Sequence, residues 1–142
     1  MKKLIAVLLC VVSLNCAAED EPQDYVRFTG LSAHSTGGNN PINQGVGFEK
    51  GIDKDWSAIS GVYRNSEWNY SWYAGARYSF YNEGEWNVGL GMGVVTGYKS
   101  MSPLPMLLPD ICYSYFCFLA APKLEASGSN VIGVSVRLPI QY

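Results

Sequence analysis

Apolar side chains occupy every second position of the C-terminal stretch "VIGVSVRLPIQY". Because successive side chains of a β-strand point to opposite faces, this alternation predicts a strand with one apolar face. Strands of outer-membrane barrels alternate lipid-facing and lumen-facing residues over about ten positions in the same way. The final aromatic residue also resembles the C-terminal signal by which such barrels are recognised for assembly. An edge strand of a soluble sandwich is the alternative. The apolar positions are Ile132, Val134, Val136, Leu138, Ile140 and Tyr142.

Two further stretches alternate, with different residues on the second face. "YSWYAGARYSF", residues 70–80, carries aromatic residues at both ends of its apolar face, which is typical of the interfacial girdles of a barrel. "WNVGLGMGVVTGY", residues 86–98, places glycines between large apolar residues. Glycine weakens a strand, so an alternating series of glycines indicates close backbone approach or a face kept free of side chains.

The glycine face of these two strands has two explanations, which the residues alone leave open. The glycines either clear space for a thin ligand such as an acyl chain, or make room for a large inward side chain such as Tyr73 or Arg77. The glycines on this face are Gly75, Gly89, Gly91 and Gly93.

Eight strand-like segments can be placed along the chain after its N-terminus. An eight-stranded barrel is the smallest usual outer-membrane barrel, and its interior is filled by side chains or holds one small ligand. The sequence therefore predicts an all-β fold, an eight-stranded antiparallel transmembrane β-barrel of the outer membrane. The expected strands are 25–34, 44–52, 57–66, 70–80, 86–98, 104–112, 117–124 and 131–142.

The N-terminal residues 1–18 have the composition of a cleaved signal peptide. Two lysines precede an apolar core, and small residues follow at the expected cleavage site. A lipoprotein signal that uses Cys16 is the alternative, but the preceding Asn15 is too large and polar for it. No later run of about 18 apolar residues predicts a transmembrane helix, so any membrane crossing must use strands. Residues 19–142 are expected to form a single barrel domain in the outer membrane of a Gram-negative cell.

Composition argues against several kinds of partner. The formal net charge is −2 and there is no run of Lys or Arg, so nucleic acid is not an expected partner. A lone histidine without a carboxylate cluster provides no set of metal ligands, and no cofactor is expected. The expected partners are lipids of the outer membrane, and the chain is expected to be a monomer.

Cys112 and Cys117 are the two cysteines that follow the expected signal peptide, and export places them in an oxidising compartment. Within one continuous strand they would lie about 17 Å apart, which is too far for a disulfide. If "YSYF", residues 113–116, is a tight turn, the two cysteines face each other and can bond. Two unpaired buried thiols are the alternative.

His34 and Ser66 are the candidate reactive residues. His34 is the single histidine and lies near the end of the first expected strand, whereas Ser66 lies near the end of the third. These two strands run in the same direction, so both residues are expected at the same mouth of the barrel, on the side of the longer outer loops.

Prolines in "MSPLPMLLPD" and "AAPKL" would interrupt the hydrogen bonds of a barrel wall, because proline has no N–H donor. Unpaired backbone groups are costly in lipid, unless other parts of the protein shield them or the interruption serves a function. One use is a lateral gap through which a lipid tail enters, and the alternative is a proline-rich loop that leads into a strand.

Several stretches, taken in order, resemble the outer-membrane lipid A palmitoyltransferases (the PagP family). "YRNSEW" and then "YAGARY" are similar to the segment with the family's Asp-Ser pair and to its tryptophan-rich strand with Ala-Gly. "NVGLGMGVVTG" is similar to its glycine-alternating strand, and "AAP" falls where the family has a strand proline. "PLPMLLP", nearly the family's proline motif, is the most specific of these stretches, and the resemblance covers roughly residues 34–142.

The resemblance implies a barrel with an inner acyl pocket that transfers palmitate from a phospholipid to lipid A of lipopolysaccharide. By position, His34 and Ser66 would be the catalytic His and Ser, and the family's aspartate falls on Asn65. The acyl pocket would involve Gly75, Arg77, Gly89, Gly91 and Gly93. Pro105, Pro109 and Pro122 would flank one lateral gate, and Pro41 a second.

The chain departs from the family at several places that affect function. Asn65 can orient an imidazole but cannot stabilise its cation, and the corresponding Asp→Asn change in a serine protease costs about 10⁴ in rate. Arg77 stands where the family has the glycine that sets pocket depth, so it would shorten or fill the pocket. The family's N-terminal amphipathic helix is not evident, and the segment between His34 and Asn65 is shorter.

Three functions follow as hypotheses. The first is acyl transfer, with His34 as general base, Ser66 assisting through a hydrogen bond and Asn65 orienting His34. The second is a binding or structural barrel without chemistry, which Asn65 and Arg77 favour. The third is a lipid A esterase, which delivers the acyl chain to water.

Overall fold

The computed structural model describes residues 22–99, 101–122 and 129–141. The expected signal peptide with its Cys16 and the C-terminal Tyr142 lie outside these ranges. Within them, no helix is long and apolar enough to cross a membrane. The strands are β1 (Tyr25–His34), β2 (Ile42–Gly51), β3 (Trp56–Arg64), β4 (Tyr70–Glu83), β5 (Trp86–Val95), β6 (Leu104–Tyr113), β7 (Phe116–Ala121) and β8 (Val131–Pro139).

The eight strands form a closed barrel in which each strand pairs antiparallel with the next, and β1 pairs with β8 to complete the ring. The predicted eight-stranded antiparallel barrel is confirmed as the fold. The sequence places residues 81–85 between the expected strands 70–80 and 86–98, but the turn is shorter. β4 continues to Glu83, and only Gly84 and Glu85 connect β4 and β5. Gly84 has a φ of 59°, which glycine adopts without steric cost.

The two ends of the barrel differ in the length of their connections. One end, called the short-turn end, carries the connections 52–55, 84–85 and 114–115. The opposite end, called the long-loop end, carries the connections 35–41, 65–69, 96–103 and 122–130. Antiparallel order alternates the connections between the two ends, so His34 and the 65–69 loop lie together at the long-loop end.

The barrel is polar inside and apolar outside. Among inward side chains, Glu49 is 2% exposed and Arg77 is 1% exposed, whereas the outward Trp72 and Phe80 are 66% and 59% exposed. The two-residue period of each strand produces this segregation, since alternate side chains point to opposite faces. The distribution is the reverse of that in a water-soluble domain, which buries its large apolar residues.

A β-bulge in β1 changes which residues of this strand face the lumen. Against β8, Thr29 and Leu31 pair with consecutive residues, so Gly30 is an extra residue in β1. Regular alternation would place Arg27 and His34 on opposite faces, because an odd number of positions separates them. With the bulge, Arg27 contacts carboxylates in the lumen and His34 lines the cavity of the lumen.

The barrel wall has a gap between β6 and β7 toward the long-loop end. β6 pairs with β5 over its whole length, but with β7 only from Asp110 to Tyr113. Pro105 and Pro109 have the same parity, so both remove N–H donors from the same edge of β6. The backbone pairing of β6 with β5 is continuous from Leu104 to Tyr113. The edge of β6 that lacks the two N–H donors is therefore the edge that faces β7. Residues 104–109 therefore have no register partner on β7.

Five charged side chains fill the lumen toward the short-turn end, and we call them the lumen charge cluster. Glu49 accepts hydrogen bonds from Arg137 at 2.8 and 3.1 Å and from Arg27 at 3.4 Å. Asp110 accepts from Arg27 at 2.8 Å and from Arg77 Nε at 3.1 and 3.2 Å. All five side chains are at most 13% exposed. Buried charges persist when they are paired, and here arginines share two carboxylates.

A disulfide joins β6 and β7 on the short-turn side of the gap. Cys112 and Cys117 are register partners on the two strands, and their sulfurs are bonded. The turn between them is the pair Ser114 and Tyr115, tighter than the four residues expected from the sequence. The structure therefore has the disulfide that the sequence left open.

Candidate functional site

A cavity of ≈ 420 Å³ lies inside the barrel between the long-loop end and the lumen charge cluster. His34, Ser66 and Tyr98 line it toward the long-loop end, and Arg27 and Asp110 line its floor. Apolar side chains from several strands form the wall between these two polar ends, so the cavity suits a ligand with a polar head and an apolar chain. The apolar residues of the wall include Ile59, Val95, Leu104, Met106, Leu108 and Leu119.

The ring of His34 is anchored through its Nε2 atom. Nε2 lies 2.9 Å from the Ser32 hydroxyl oxygen and 3.2 Å from the Asn40 carbonyl oxygen. Ser32 donates its own proton to Asn43 Oδ1, and Asn43 Nδ2 donates to the Arg64 carbonyl oxygen at 2.8 Å, which fixes the orientation of the amide. Both partners of Nε2 are therefore acceptors, and the neutral imidazole carries its proton on Nε2.

The second ring nitrogen of His34 is left free as a base. Nδ1 is buried and has no hydrogen-bond partner among the described residues. Because Nε2 carries the proton, Nδ1 has an available lone pair. We call Asn43, Ser32 and His34 the histidine relay, since each side chain orients the next one. The relay leaves a basic nitrogen unused by the fold, beside an apolar cavity.

Ser66 is brought close to the same site by Asn40. The Asn40 N–H donates to the Ser66 carbonyl oxygen at 2.9 Å, while the Asn40 carbonyl oxygen contacts His34. The two predicted reactive residues thus flank one fully buried asparagine, and both line the cavity. Nearby, burial raises the pKa of the Tyr98 phenol, so this group stays protonated at neutral pH and can donate a hydrogen bond. Its oxygen lies 2.8 Å from the Tyr63 phenol oxygen.

Asn65 does not orient His34, contrary to the expectation from the sequence. Its Oδ1 accepts from the backbone N–H groups of Glu67 and Asn69 at 2.9 and 3.0 Å. Its Nδ2 donates to Ser71 Oγ and to the Gly97 carbonyl oxygen, both at 2.9 Å. The fully buried amide therefore organises the 65–69 loop, and the hydrogen bond to a carbonyl oxygen requires an amide rather than a carboxylate.

Asn65→Asp is accordingly expected to destabilise the barrel, by about 1–3 kcal/mol, and not to raise any catalytic activity. A carboxylate would face the Gly97 carbonyl oxygen with no proton between them. Urea unfolding at neutral pH measures the effect, with Asn69→Asp as the control, because Asn69 is exposed and reaches the same carbonyl only at 3.4 Å. Equal midpoints for the two variants, or a gain of activity in Asn65→Asp, would contradict this role.

The glycines on the inward face of β4 and β5 serve different purposes. A Cβ at Gly75 or Gly93 would overlap a backbone carbonyl oxygen of the neighbouring strand, so these two allow a close approach of β4 and β5. A Cβ at Gly89 would lie 2.5 Å from Arg77 Cζ, so this glycine makes room for the guanidinium. Gly91 lines the cavity. Gly89 thus fits the explanation by a large inward side chain, Gly91 borders open space in the lumen, and Gly75 and Gly93 serve the backbone contact of the two strands. Arg77 forms part of the floor.

The prolines also divide into two groups. Pro105 and Pro122 line the cavity beside the gap between β6 and β7, and Pro109 lies on the same edge of β6. Pro41 precedes β2, and its carbonyl oxygen accepts a hydrogen bond from the Ser32 N–H at 2.8 Å. The β1–β2 pair is thus joined at Pro41, so this proline does not border an opening like the one between β6 and β7.

Ser32, Asn40 and Asn43 were missed by reasoning from the sequence. Ser32 lies two residues before His34 and thus on the same face of β1, which is a signal that the sequence contains. The contribution of Asn43 depends on the register between β1 and β2, which the bulge shifts. Among the described residues, no group of three or more His, Cys, Asp or Glu side chains is placed to hold a metal ion.

Comparison of the chain with protein-family models and with curated proteins gives no match. The cavity and the histidine relay are therefore the features of the molecule that bear on its function.

Proposed function

We propose that the protein is an outer-membrane acyltransferase, which moves a fatty acyl chain from a phospholipid to lipid A. The observation that carries the proposal is the free, buried Nδ1 of His34 at the wall of an apolar cavity. A basic nitrogen beside a chain-shaped space suits the deprotonation of a hydroxyl that attacks a lipid ester. The resemblance to the palmitoyltransferase family agrees with this chemistry.

The outer surface of the barrel supports a membrane location. Exposed aromatic residues occur toward both ends, including Tyr70 near the long loops and Phe80 near the short turns. These two residues of β4 are separated by roughly 25 Å along the axis, at about 3.3 Å per residue and a tilt of about 40°. This spacing agrees with the apolar band of outer-membrane barrels, which is about 25 Å tall.

The gap between β6 and β7 provides a route for an acyl chain from lipid to the cavity. Pro105 and Leu107 have the outward parity of β6, yet both line the cavity, as does Pro122 after β7. The cavity therefore extends to the unpaired edge of the wall. A chain that enters here passes between apolar side chains and places its ester group near the long-loop end.

In the proposed reaction, His34 Nδ1 accepts the proton of a lipid A hydroxyl as its oxygen attacks the ester carbonyl carbon of the phospholipid. The Ser66 hydroxyl donates a hydrogen bond to the oxyanion of the tetrahedral intermediate. The intermediate then releases the lysophospholipid oxygen, which takes the proton back from the His34 imidazolium. Asn43 and Ser32 keep Nε2 anchored throughout, in the orienting role that the sequence assigned to Asn65.

The lumen charge cluster limits how deep a chain can lie in the cavity. Arg77 and Asp110 close the floor with charged groups, and an alkyl terminus gains nothing by displacing their hydrogen bonds. The acyl chain is therefore held in the apolar section between His34 and this floor. Chain length is set by the distance between these two polar ends.

Mass spectrometry of lipid A from cells that make the protein tests the proposal. The wild-type chain is expected to add one acyl mass, and His34→Gln is expected to lower this transfer at least about 100-fold through loss of the general base. Ser66→Ala is expected to lower it about 100-fold through loss of an oxyanion donor. Ser60→Ala is the matched control and should retain full transfer, because Ser60 lies on the outward face of β3, the strand that precedes the loop of Ser66.

Each variant must first be recovered as a folded barrel from the outer membrane. Full transfer in folded His34→Gln would refute the role of His34. Loss of an acyl mass from lipid A, with free fatty acid released, would assign the same residues to an esterase in which water replaces the hydroxyl acceptor.

A lipid-binding barrel without chemistry is the second candidate. It is favoured by one observation: among the described residues, the partners of the His34 ring are a hydroxyl and a carbonyl oxygen, and no carboxylate is placed to stabilise an imidazolium. In that case the wild-type chain leaves lipid A unchanged while a chain-bearing lipid still copurifies with it. Retention of the lipid by His34→Gln would then show that binding does not depend on the imidazole ring.

A further inference from the structure

Arg64 is an arginine on the outer surface of the barrel, and it has no carboxylate partner among the described residues. It is the last residue of β3 and shares the outward parity of Trp56 and Val62, whereas Arg27, Arg77 and Arg137 belong to the lumen charge cluster. None of the ion pairs found among the described residues involves Arg64. Its charge is therefore available to a partner outside the chain.

The neighbouring loop positions this guanidinium with a tryptophan. Arg64 Cζ lies 5.0 Å from the centre of the Trp68 ring, and Nε donates to the Trp68 carbonyl oxygen at 3.3 Å. Trp68 has a φ of 66°, a conformation that is costly for a bulky residue. The hydrogen bonds of Asn65 within the loop hold it there. The loop thus holds an indole that is 53% exposed beside the guanidinium.

The position of Arg64 matches the depth of lipid headgroups. Its register partner on β4 is Tyr70, and Val62 pairs with Trp72 one step further into the wall. Both aromatic residues are outward and strongly exposed, as in the girdles that mark the membrane interface. A guanidinium level with the outer residue of this girdle lies at the membrane interface, within reach of lipid phosphates.

Arg64 is also connected to the candidate reaction site. Its carbonyl oxygen accepts the hydrogen bond from Asn43 Nδ2, at the start of the histidine relay. Asn43 is the first residue of the relay that orients His34. A lipid that the Arg64 side chain binds on the outer wall therefore lies next to the backbone group that holds Asn43. Among the described residues, no hydrogen bond uses the terminal N–H groups of this guanidinium. These groups therefore remain for a ligand, in the planar geometry that binds phosphate through two hydrogen bonds.

We propose that Arg64 and Trp68 form a binding site for the phosphate of an outer-leaflet lipid headgroup. The site rests on the membrane location in the proposed function but not on the catalytic step. Arg64 supplies charge and paired donors, and Trp68 supplies the stacking surface and the interfacial anchor. The ligand class is an anionic phospholipid or lipid A, both of which present a phosphate at this depth.

Native mass spectrometry of the refolded barrel in a neutral detergent tests the site with two probes of equal acyl composition, phosphatidylglycerol and diacylglycerol. The measurement is made in the His34→Gln background, so that catalysis does not consume the probe and failure of acyl transfer does not affect the result. We expect phosphatidylglycerol to be retained over diacylglycerol, and Arg64→Gln to reduce this preference about tenfold. Arg64→Lys should retain only part of it.

Lys54→Gln, which removes an exposed cation at the short-turn end, is the matched control and should keep the full preference. An unchanged preference in folded Arg64→Gln would overturn the proposal. An equal loss in Lys54→Gln would also overturn it, because net charge rather than this site would then bind the lipid. Displacement of the lipid by inorganic phosphate at equal concentration would assign the site to free phosphate instead.

Discussion

Glu49→Ala is expected to destabilise the barrel by about 3–5 kcal/mol, the usual cost of removing one partner from a buried ion pair. Glu49 accepts hydrogen bonds from Arg137 and Arg27, and its carboxylate lies 3.8 Å from Arg77. Its removal leaves these guanidiniums with one carboxylate, Asp110, inside an enclosed lumen. Without the Glu49 carboxylate between them, the positive charges of the arginines repel each other in a low-dielectric environment.

The effect is measured by urea unfolding of the refolded barrel, followed by tryptophan fluorescence. Glu83→Ala is the control, because it removes an exposed carboxylate whose contact is a single hydrogen bond from Tyr81 at 2.8 Å. The control is expected to change the free energy of unfolding by less than about 0.5 kcal/mol. Similar midpoints for the two variants would show that the lumen charge cluster does not stabilise the fold.

Gly75→Ala is expected to cost about 3 kcal/mol, whereas Gly91→Ala should cost less than about 1 kcal/mol. A Cβ at Gly75 would overlap the Met92 carbonyl oxygen, and backbone atoms cannot move aside without separating β4 from β5. A Cβ at Gly91 would meet Ile59 Cδ1 at 3.4 Å and Leu108 Cβ at 3.5 Å, which are ordinary packing distances. The two substitutions are chemically identical and differ only in what the methyl group meets.

The same unfolding experiment compares the pair, and the folded yield of each variant is recorded with it. Alanine also restricts the unfolded chain more than glycine does, so Gly91→Ala could be neutral or slightly stabilising. Equal losses at both positions would indicate that strand propensity, rather than close backbone approach, explains the glycines. A tolerated Gly75→Ala would mean that β4 and β5 separate more easily than their register suggests.

The barrel could be predicted from the sequence because alternation is a local property. Strands such as β8 show their two faces in consecutive residues, and the outward face of the barrel is apolar. The roles of individual inward residues could not be predicted in this way. Gly89 and Gly91 are identical in the sequence pattern, yet one faces the Arg77 guanidinium and the other the cavity. That difference depends on side chains from other strands.

The site was predictable only in part, for a related reason. His34 and Ser66 could be placed at one mouth from strand direction alone, and the structure has both lining the cavity. The role of Asn65 depended on the shape of a loop, and the role of Asn43 depended on a shifted register. Hydrogen-bond partners across a bulge or within an irregular loop are not encoded in any spacing of the sequence.

The bulge at Gly30 has a consequence for assigning the residues of β1 to the two faces of the wall. In a regular strand, two residues that face the lumen are separated by an even number of positions. In β1, the arginine of the floor and the histidine of the mouth are separated by an odd number. Regular periodicity counted from Arg27 would therefore assign His34 to the outward face. A sequence pattern that describes this site must allow an odd interval between the two residues.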